Sequence, residues 1–379
     1  MGSENTSCLV DENNRTVFTF FSEFAYHWPG QTEVEVLVLS VVLVAAIFGN
    51  TMVLIAMLRT PRLRTSINLV VGSLAVSDLL TASGIPFIIV TLVKQQWVLG
   101  PALCIIIVYV QFVFGISSTL SLTLVSVERY LHVSVSPGRT ISLPATLKLL
   151  AVSWVVSFLF PVPVALAQTV MTLRCRNENL QFCGVTWPDR IRDDVYMGSL
   201  IALFFVDPVV VMTVCYVRIF IIVRSSSARV KHGGGGRGGG GEAGGDGDSG
   251  GHCCQGSSRT SDLQLRLVKM SISIVLAFVF MWLPFFILSF MGVHSSSITS
   301  EEFTPTLVLA LSNTALNPLL YGYFNTSFRR EFKAIRGTCC DAKSRDVRSE
   351  GARVKEADCS CGKTRRAVDT MMTDGMRDS

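Results

Sequence analysis

The sequence has little charge for its length. Asp, Glu, Lys and Arg together make up 16% of the 379 residues, whereas hydrophobic residues make up 49%. The hydrophobic residues are gathered into long blocks, and several blocks reach the roughly 20 apolar residues that a helix needs to cross a hydrocarbon core about 30 Å thick. A soluble chain of this size would instead distribute its charge over the surfaces of two or three domains. The composition therefore favours an integral membrane protein.

Three other features are absent, and each absence argues against a class of protein. No block shows the apolar–polar alternation of a membrane β-barrel, so helices must satisfy the backbone. No internal repeat indicates the duplicated halves of a transporter, which remains a remote alternative. No paired aspartates or metal-ligand cluster lies at one depth, so we expect no enzymatic activity and no cofactor other than an allosteric ion.

The beginning of the chain lacks a basic stretch followed by an apolar run, so we expect no cleavable signal peptide and expect the first apolar block to anchor the chain. Arginine and lysine instead follow the apolar blocks, as at Arg59, Arg224 and Arg329. We expect a multi-pass protein of the plasma membrane, and the positive-inside rule predicts that its N-terminus is extracellular and its C-terminus cytoplasmic. Glycosylation sequons at Asn5 and Asn14 fit this orientation.

Seven apolar blocks can be distinguished. They cover 34–58, 67–93, 102–133, 145–168, 196–223, 267–293 and 303–324. We therefore predict an all-α membrane protein, a seven-transmembrane helix bundle with a short amphipathic eighth helix. Its parts would be an extracellular segment 1–33, a helical domain 34–336 with a Gly-rich cytoplasmic loop 227–260, and a disordered cytoplasmic tail 337–379.

The eighth helix is predicted from three aromatic residues. Phe324, Phe328 and Phe332 are four residues apart just after the seventh block, which indicates a short amphipathic helix on the inner membrane surface. Cys339 and Cys340 follow this helix and are candidates for palmitoylation. The alternative is a pair of ordinary reduced cytosolic thiols.

Polar side chains inside the blocks are few, and each is a functional hypothesis because burying them in lipid is costly. Asp78 lies in the middle of the second block, and Ser118, Asn313 and Asn317 would lie at a similar depth in a bundle. A carboxylate with neutral oxygen ligands suits a small hard cation, and sodium is the natural candidate. The alternative is a structural aspartate that is protonated or bonded to water.

The third block places polar residues on one helical face. Glu128-Arg129-Tyr130 closes the block, where a charged pair at the membrane boundary could hold one arrangement until the glutamate is protonated. The alternative is interfacial snorkelling. The residues on the common face are Gln111, Ser118, Leu122, Val125 and Arg129.

Proline interrupts two of the blocks. The sixth contains Phe278, Trp282 and Pro284, and the seventh ends in Asn317-Pro318-Leu319-Leu320-Tyr321. Proline removes a helical hydrogen bond and kinks the helix, so one half can swing while the other half stays packed.

Taken in order, these residues resemble the rhodopsin-like family of G-protein-coupled receptors, and its neuropeptide receptors in particular. The resemblance extends from Gly49 to Phe328. The matching residues stand in the expected block and order: Asn50, Asp78 at the end of Leu-Ala-x-x-Asp, Glu128-Arg129-Tyr130, Trp154, Pro208, Tyr216, Trp282, Pro284, Asn317, Pro318 and Tyr321.

The resemblance implies a receptor that transmits the binding of an extracellular peptide or small-molecule ligand to a heterotrimeric G protein. Arrestin and a receptor kinase would be further partners, and nucleic acid would not. It implies a sodium pocket at Asp78, Ser118, Asn313 and Asn317. It further implies that the switch and coupling residues are Glu128, Arg129, Tyr130, Tyr216, Phe278, Trp282, Pro284, Asn317, Pro318 and Tyr321.

A disulfide is also implied by the resemblance. Cys104 would pair with Cys183 or Cys175, and we favour Cys183 because the sequence from Cys183 to Pro188 resembles the second outer loop of peptide receptors. Cys8 with Cys175 would be a second pair.

Three departures from the family pattern bear on signalling. Met281 replaces the usual cysteine before Trp282, a change that we expect to be tolerated. Gln264 stands near where many members carry an acid facing Arg129, so we expect no strong inner ionic lock and expect basal activity. Pro137 is displaced by one residue, which leaves the choice of G protein open.

Two residues that bind ligands in other receptors are absent from this chain, and their absence limits the class of ligand. Gln111 stands where receptors for biogenic amines have an aspartate, and the seventh block has no lysine for a retinal Schiff base, so amine receptors and photoreceptors are excluded. A neutral or amidated peptide end would suit the remaining pocket, with Gln111 as its hydrogen-bond partner, and the segment from Trp97 to Gly100 resembles that of neuropeptide receptors. The predicted pocket residues are Gln111, Phe112, Leu200, Phe204, Trp282, Phe285, Phe286, Ser289, Leu307 and Ala310.

A small neutral or lipid ligand is the second candidate, and core packing is the alternative role for the aromatic residues of this set. Asp207 is an acid without an assigned role. We expect it to be buried and to form a hydrogen bond with the fourth block, near Pro161 and Pro163.

Overall fold

The computed structural model describes residues 30–63, 65–134, 141–175, 178–185, 190–233, 272–291, 300–324 and 328–335. Six helices in these ranges are long and apolar enough to cross a membrane, by length and composition: Gln31–Arg59, Ser66–Lys94, Gly100–Ser134, Leu143–Ala167, Asp194–Ser225 and Ile272–Met291. A seventh helix, Ser300–Phe324, has 25 residues. At 1.5 Å per residue it is about 37 Å long, which also suffices for a crossing. We refer to these as the first to seventh helices.

The first helix is apolar on both its buried and its exposed faces. Leu39, Ala46 and Val53 are completely buried, whereas Val44 and Phe48 on the opposite face are 67% and 68% exposed. A soluble helix would carry charge on the second face. Apolar residues on both faces fit a helix that packs against neighbours on one side and contacts lipid on the other.

The first and seventh helices are joined by a buried amide and by a close backbone approach. The Nδ2 atom of Asn50 donates a hydrogen bond to the carbonyl oxygen of Thr314 at 2.9 Å. A Cβ atom on Gly49 would lie 2.8 Å from the Cβ of Pro318, which is closer than real Cβ contacts allow. Only glycine permits this approach, so Gly49 fixes the spacing of the two helices.

Hydroxyl groups join the second helix to the third and fourth. The hydroxyls of Ser77 and Ser117 lie 2.8 Å apart, both completely buried. The indole Nε1 of Trp154 donates to the hydroxyl of Ser73 at 3.1 Å. Such bonds hold the register of apolar helices, because lipid competes with packing but not with a hydrogen bond.

The second helix is interrupted, although the sequence predicted one continuous block. Ser66–Ala82 and Ile85–Lys94 are separate helical segments with a turn at Ser83 and Gly84 between them. Pro86 at the start of the second segment has no N–H to donate to the preceding turn, so the helical ladder cannot run through it.

An antiparallel hairpin follows the fourth helix and was not predicted. Its strands are Gln168–Cys175 and Glu178–Val185. The hairpin is attached to the third helix by the disulfide Cys104–Cys183, which confirms the favoured pairing. The backbone N–H of Trp97 also donates to the carbonyl of Gln181 at 2.7 Å. We call this end of the bundle the hairpin end.

The fifth helix contains a π-helical turn and extends beyond its predicted end. Arg190–Ile201 leads into the π-turn Ala202–Val206, and Asp207–Gly233 continues the helix. The predicted loop 227–260 is therefore wrong for residues 227–233, which are helical. No glycine or proline interrupts the chain between Pro208 and Gly233, so the composition of this segment allows a continuous helix.

The predicted eighth helix is present over 328–335. Phe328 is completely buried, and its ring centroid lies 6.1 Å from that of Tyr321 at the end of the seventh helix. Several predictions lie outside the described residues and stay predictions: those for Cys8, Asn5, Asn14, Pro137, Gln264, Cys339 and Cys340, and for the side chains of Cys175 and Phe324.

The close approach at Gly49 gives a first prediction. We expect Gly49→Ala to lower the stability of the purified protein in detergent by about 1–3 kcal/mol, because the added methyl group must displace Pro318. Gly198→Ala is the matched control, since a Cβ there meets nothing within 4 Å and alanine favours the helix. The measurement is the apparent melting temperature of each variant. Equal melting temperatures for the two variants would contradict the packing of the first helix against the seventh.

Candidate functional site

A cavity of about 830 Å³, its open mouth included, lies among the helices. Most of the predicted pocket residues line it, namely Gln111, Phe112, Leu200, Phe204, Trp282, Phe285, Phe286 and Leu307. Further lining residues were not predicted: Thr81, Ile88, Val108, Gly115, Ile116, Thr119 and Leu311. Thr81 and Ile88 belong to the second helix, and its break at Gly84 was not apparent from the sequence.

Two predicted residues do not line this cavity. Ser289 is almost completely buried, and its hydroxyl donates to the carbonyl of Phe285 in its own helix at 2.7 Å. Ala310 is completely buried. Helical spacing predicted that both would lie at the pocket, but the hydroxyl of Ser289 bonds to its own helix, and Ala310 is buried away from the cavity surface.

Among the described residues that line the cavity, no side chain is ionisable. Its polar members are Thr81, Gln111 and Thr119, and the others are apolar or aromatic. A charged group buried here would have no counter-charge among the lining residues, and an unpaired charge is costly to bury. The cavity is therefore suited to an uncharged group.

The side chain of Gln111 forms a hydrogen bond within the protein. Its Nε2 atom donates to the carbonyl oxygen of Thr81 at 3.0 Å, beside the break in the second helix. The same amide lies so close to Gly84 that any Cβ there would collide with it. One N–H of Gln111 thus completes the hydrogen bonding of the interrupted helix, and its other N–H and its carbonyl remain for a ligand.

Aromatic rings form the floor of the cavity and continue below it. The ring of Trp282 stacks on Phe286, with centroids 5.7 Å apart, and meets the edge of Phe285 at 5.9 Å. Below it, Phe278 lies 6.3 Å from Trp282 and 6.1 Å from Phe205 of the fifth helix. A displacement of Trp282 would therefore be transmitted to Phe278 by direct contact.

The indole nitrogen of Trp282 adds a polar feature to the floor. Its Nε1 atom is buried without a hydrogen-bond partner in the described part of the chain. Buried indole N–H groups usually find an acceptor. A ligand carbonyl or hydroxyl could provide one.

Asp78 lies within a second polar site. Its Oδ1 accepts a hydrogen bond from the hydroxyl of Ser118 at 2.9 Å, and its Oδ2 accepts one from Nδ2 of Asn317 at 2.8 Å. Asp78 is completely buried and Asn313 is 4% exposed. The sequence prediction that these residues converge is therefore confirmed for Asp78, Ser118 and Asn317. A carboxylate and a hydroxyl with free lone pairs are ligands that suit a hard cation.

The end of the bundle opposite the hairpin holds the predicted coupling residues. Glu128 is 3% exposed. The Nε of Arg129 and the hydroxyl of Tyr321 are both buried, and neither has a hydrogen-bond partner among the residues that the structure describes. Tyr216 contacts the hydroxyl of Ser126 at 2.6 Å. Ser126 was missed by the sequence analysis, although it lies one turn from Arg129.

The exposure of the Asp207 side chain differs from the prediction. Its side chain is exposed on the outside of the bundle instead of being buried against the fourth helix. The expectation was wrong because the sequence identifies an acid beside Pro208, but it does not indicate which face of the fifth helix the acid occupies after the π-turn.

Comparison with known proteins agrees with this arrangement. The model of a family described as 7 transmembrane receptor (rhodopsin family) matches residues 49–321. Somatostatin receptor type 2 of Mus musculus is 27% identical over 348 residues, 88% of this chain and 80% of that one. Somatostatin receptor type 5 of Bos taurus is 27% identical over 81% of this chain and 77% of that one. Free fatty acid receptor 4 of Mus musculus is 28% identical over 88% and 90%.

Proposed function

The chain belongs to the rhodopsin family of seven-transmembrane receptors, and we propose that its ligand is an extracellular peptide with an uncharged end. As a member of this family it is a multi-pass membrane receptor that signals through G proteins, and it is not an enzyme. Its relatives leave the ligand class open, since some are named for the peptide somatostatin and others for free fatty acids.

The uncharged cavity is the observation that carries the proposal. A fatty acid would bring a carboxylate, and the lining residues that the structure describes include no arginine, lysine or histidine to pair with it. An amine would need an acid, which these lining residues also lack. An amidated peptide end brings apolar area for the aromatic floor and hydrogen-bonding groups for Gln111 and Trp282 at no cost in buried charge. A small neutral ligand is the second candidate on the same ground.

The hairpin supports a peptide over a small molecule. Its strands pair with no other strand among the described residues, and the bond from Trp97 to Gln181 engages the outer edge of the second strand, so the edge of Gln168–Cys175 is the one left open. An extended peptide can add a strand to such an edge through main-chain hydrogen bonds. One part of the ligand would then bind the hairpin while its end enters the cavity.

The hairpin end faces outside the cell in this proposal. The disulfide Cys104–Cys183 lies at that end, and disulfides persist in oxidising surroundings. The exposed Arg329 and Arg330 lie at the other end, after the seventh helix, and basic residues favour the cytoplasmic side. The receptor is thereby oriented with its pocket towards extracellular ligand.

Signal transmission follows the aromatic contacts. A ligand that displaces Trp282 also displaces Phe278, and Pro284 lets the cytoplasmic half of the sixth helix move independently of the other half. Outward movement of that half would open a cleft beside Arg129, where a G-protein element could bind. Arg129 and Tyr321 would then find partners in the G protein or in the rearranged bundle.

A sodium ion stabilises the resting arrangement in this proposal. Asp78 and Ser118 would hold the ion, with Asn313 nearby at the same depth. The ion would supply positive charge to the Asp78 carboxylate in place of a proton. Because movement of the seventh helix would separate Asn317 from Asp78, the ion would favour the arrangement in which the two remain joined.

The ligand proposal is tested by nucleotide exchange in membranes that contain the full-length receptor. Pairs of peptides that differ only in a C-terminal amide or carboxylate are applied beside long-chain fatty acids. We expect activation by amidated peptides and weaker potency, by tenfold or more, for each free-acid form, because its charge would be buried unpaired. Activation by fatty acids at lower concentrations than by any peptide would contradict the proposal.

The variant Gln111→Ala, measured in the same nucleotide-exchange assay, tests whether the ligand contacts Gln111. We expect it to reduce the potency of an active peptide about threefold to tenfold, as for the loss of one hydrogen bond. Val155→Ala is the control, since Val155 is 55% exposed on the outside of the fourth helix. Equal potencies for the two variants would place the ligand elsewhere.

Arg129 is expected to be needed for coupling and not for folding. We predict that Arg129→Ala abolishes both basal and ligand-induced nucleotide exchange while surface expression is largely kept, because the side chain has no hydrogen bond from Nε to lose in the resting bundle. Arg218→Ala, on the exposed face of the fifth helix, controls for loss of a positive charge. Full signalling by Arg129→Ala would overturn the assigned coupling mechanism.

The sodium site predicts an ion effect on basal exchange. We expect exchange in sodium chloride to be about fivefold or more below that in choline chloride at equal ionic strength. Asp78→Asn should remove this difference and impair signalling at unchanged surface expression, since the amide keeps the shape but not the charge of the carboxylate. A wild-type receptor indifferent to sodium would show that Asp78 is purely structural.

A further inference from the structure

The outward face of the fifth helix carries a regular stripe of exposed residues. Leu203, Val210, Val214, Val217 and Ile221 are 48%, 54%, 54%, 51% and 55% exposed, and Asp207 is exposed within the same stripe. Consecutive members are alternately four and three residues apart. This is the repeat by which two helices pack along each other. The stripe has the pattern of a two-helix seam.

Asp207 lies deep in the membrane. The nearest flanking charged residues along the helix are Asp194 on one side and Arg218 on the other. At 1.5 Å per residue these lie about 20 Å and about 16 Å away, so Asp207 is near the middle of a hydrocarbon core about 30 Å thick. The short aspartate side chain cannot reach either interface. A carboxyl group in contact with lipid at this depth is costly and is usually paired.

We propose that two copies of the receptor associate in the membrane through this stripe, with Asp207 of one copy paired with Asp207 of the other. Copies with the same orientation in a membrane can be related by a two-fold axis along the membrane normal, and identical residues near that axis then face each other at equal depth. Two protonated carboxyl groups in this position each donate one hydrogen bond and accept one. The pair is neutral and leaves no polar atom facing lipid.

A second copy fits Asp207 better than lipid does. Acyl chains offer neither donors nor acceptors to a carboxyl group in the membrane core. A different membrane protein would need a polar or basic group at the same depth on a complementary helix. A carboxylic acid is its own complement, and the stripe around it is built on the repeat that lets identical parallel helices interlock. A single polar group in such a seam also fixes the register of the two helices.

Cysteine cross-linking in native membranes tests the interface. Val214→Cys in the full-length receptor places a thiol on the stripe, and Val155→Cys places one on the fourth helix at equal exposure, 54% against 55%. We expect mild oxidation to yield at least fivefold more receptor-sized dimer for Val214→Cys at matched surface density. Equal yields from the two variants would mean random collision and would overturn the proposal. A cross-link of Val214→Cys to a protein of another mass would replace the second copy by a different partner.

Substitution of Asp207 separates the carboxyl pair from the apolar stripe. In the Val214→Cys background, Asp207→Val should reduce the dimer yield about tenfold, which corresponds to about 1.4 kcal/mol for the two interhelical hydrogen bonds together. Asp207→Asn should retain it, because two amides can also donate to and accept from each other. An undiminished yield for Asp207→Val would refute the pairing.

Energy transfer between two differently tagged copies of the receptor tests the same contact without cross-linking. We expect energy transfer between tagged wild-type copies to persist when one partner carries Asp207→Lys, since a lysine can pair with the carboxylate. Transfer should be lost when both partners carry Asp207→Lys, because two ammonium groups repel each other. Equal transfer in both combinations would contradict a direct contact at residue 207. Surface expression of each variant, measured in the same cells, separates loss of pairing from loss of folding.

Discussion

The hydrogen bonds of Asp78 join three helices at the middle of the bundle. Ser118 of the third helix and Asn317 of the seventh each donate to one carboxyl oxygen. A buried carboxyl group without partners would destabilise the fold, and hydrogen bonds to a charged group are worth about 1.5–3 kcal/mol each. The arrangement of the second, third and seventh helices therefore depends on this side chain more than on any apolar contact that lipid could replace.

The ligand cavity and the coupling end connect to the same polar residues. Gln111 at the cavity donates to the carbonyl of Thr81, one turn along the second helix from Asp78. Asn317 in turn begins the Pro318-containing segment that ends at Tyr321 near the opposite end. A movement at the cavity thus reaches Asn317 through hydrogen bonds and the backbone of the second helix, beside the aromatic route through Trp282 and Phe278. Both routes pass through proline-containing helices that can bend.

Lipid as the outer solvent explains the remaining features. Apolar residues cover the outside of the helices as densely as the inside, so hydrophobicity cannot decide which face packs. Small residues and hydroxyl groups instead determine which face of a helix packs against its neighbours. Gly49 does so for the first helix, and Ser77 does so for the second. Asp207 departs from this rule because it presents a carboxyl group to the outside. Pairing with a second copy accounts for that departure by the same physics that holds the single bundle together.

The spans, their order and most of the cavity residues could be predicted from the sequence, because block length, proline position and helical spacing are local properties. The partners of Asp78 were also predictable, since few polar residues occur inside the blocks and they are costly there unless they meet. The hairpin, the break at Gly84 and the bond from Gln111 to Thr81 were not. Each depends on where a distant part of the chain lies.

By itself, the sequence determined a membrane protein of seven helices with a polar interior and a pocket without charge, because composition and spacing are enough for these. The tertiary structure decided the orientation of the residues for which helical spacing was an insufficient guide. In the structure, the hydroxyl of Ser289 bonds to its own helix, and one N–H of Gln111 bonds to the second helix. Asp207 is exposed on the outside of the bundle. Helix rotation is set by contacts between helices, and where apolar residues cover both faces of a helix in lipid, the periodicity of the sequence does not report it.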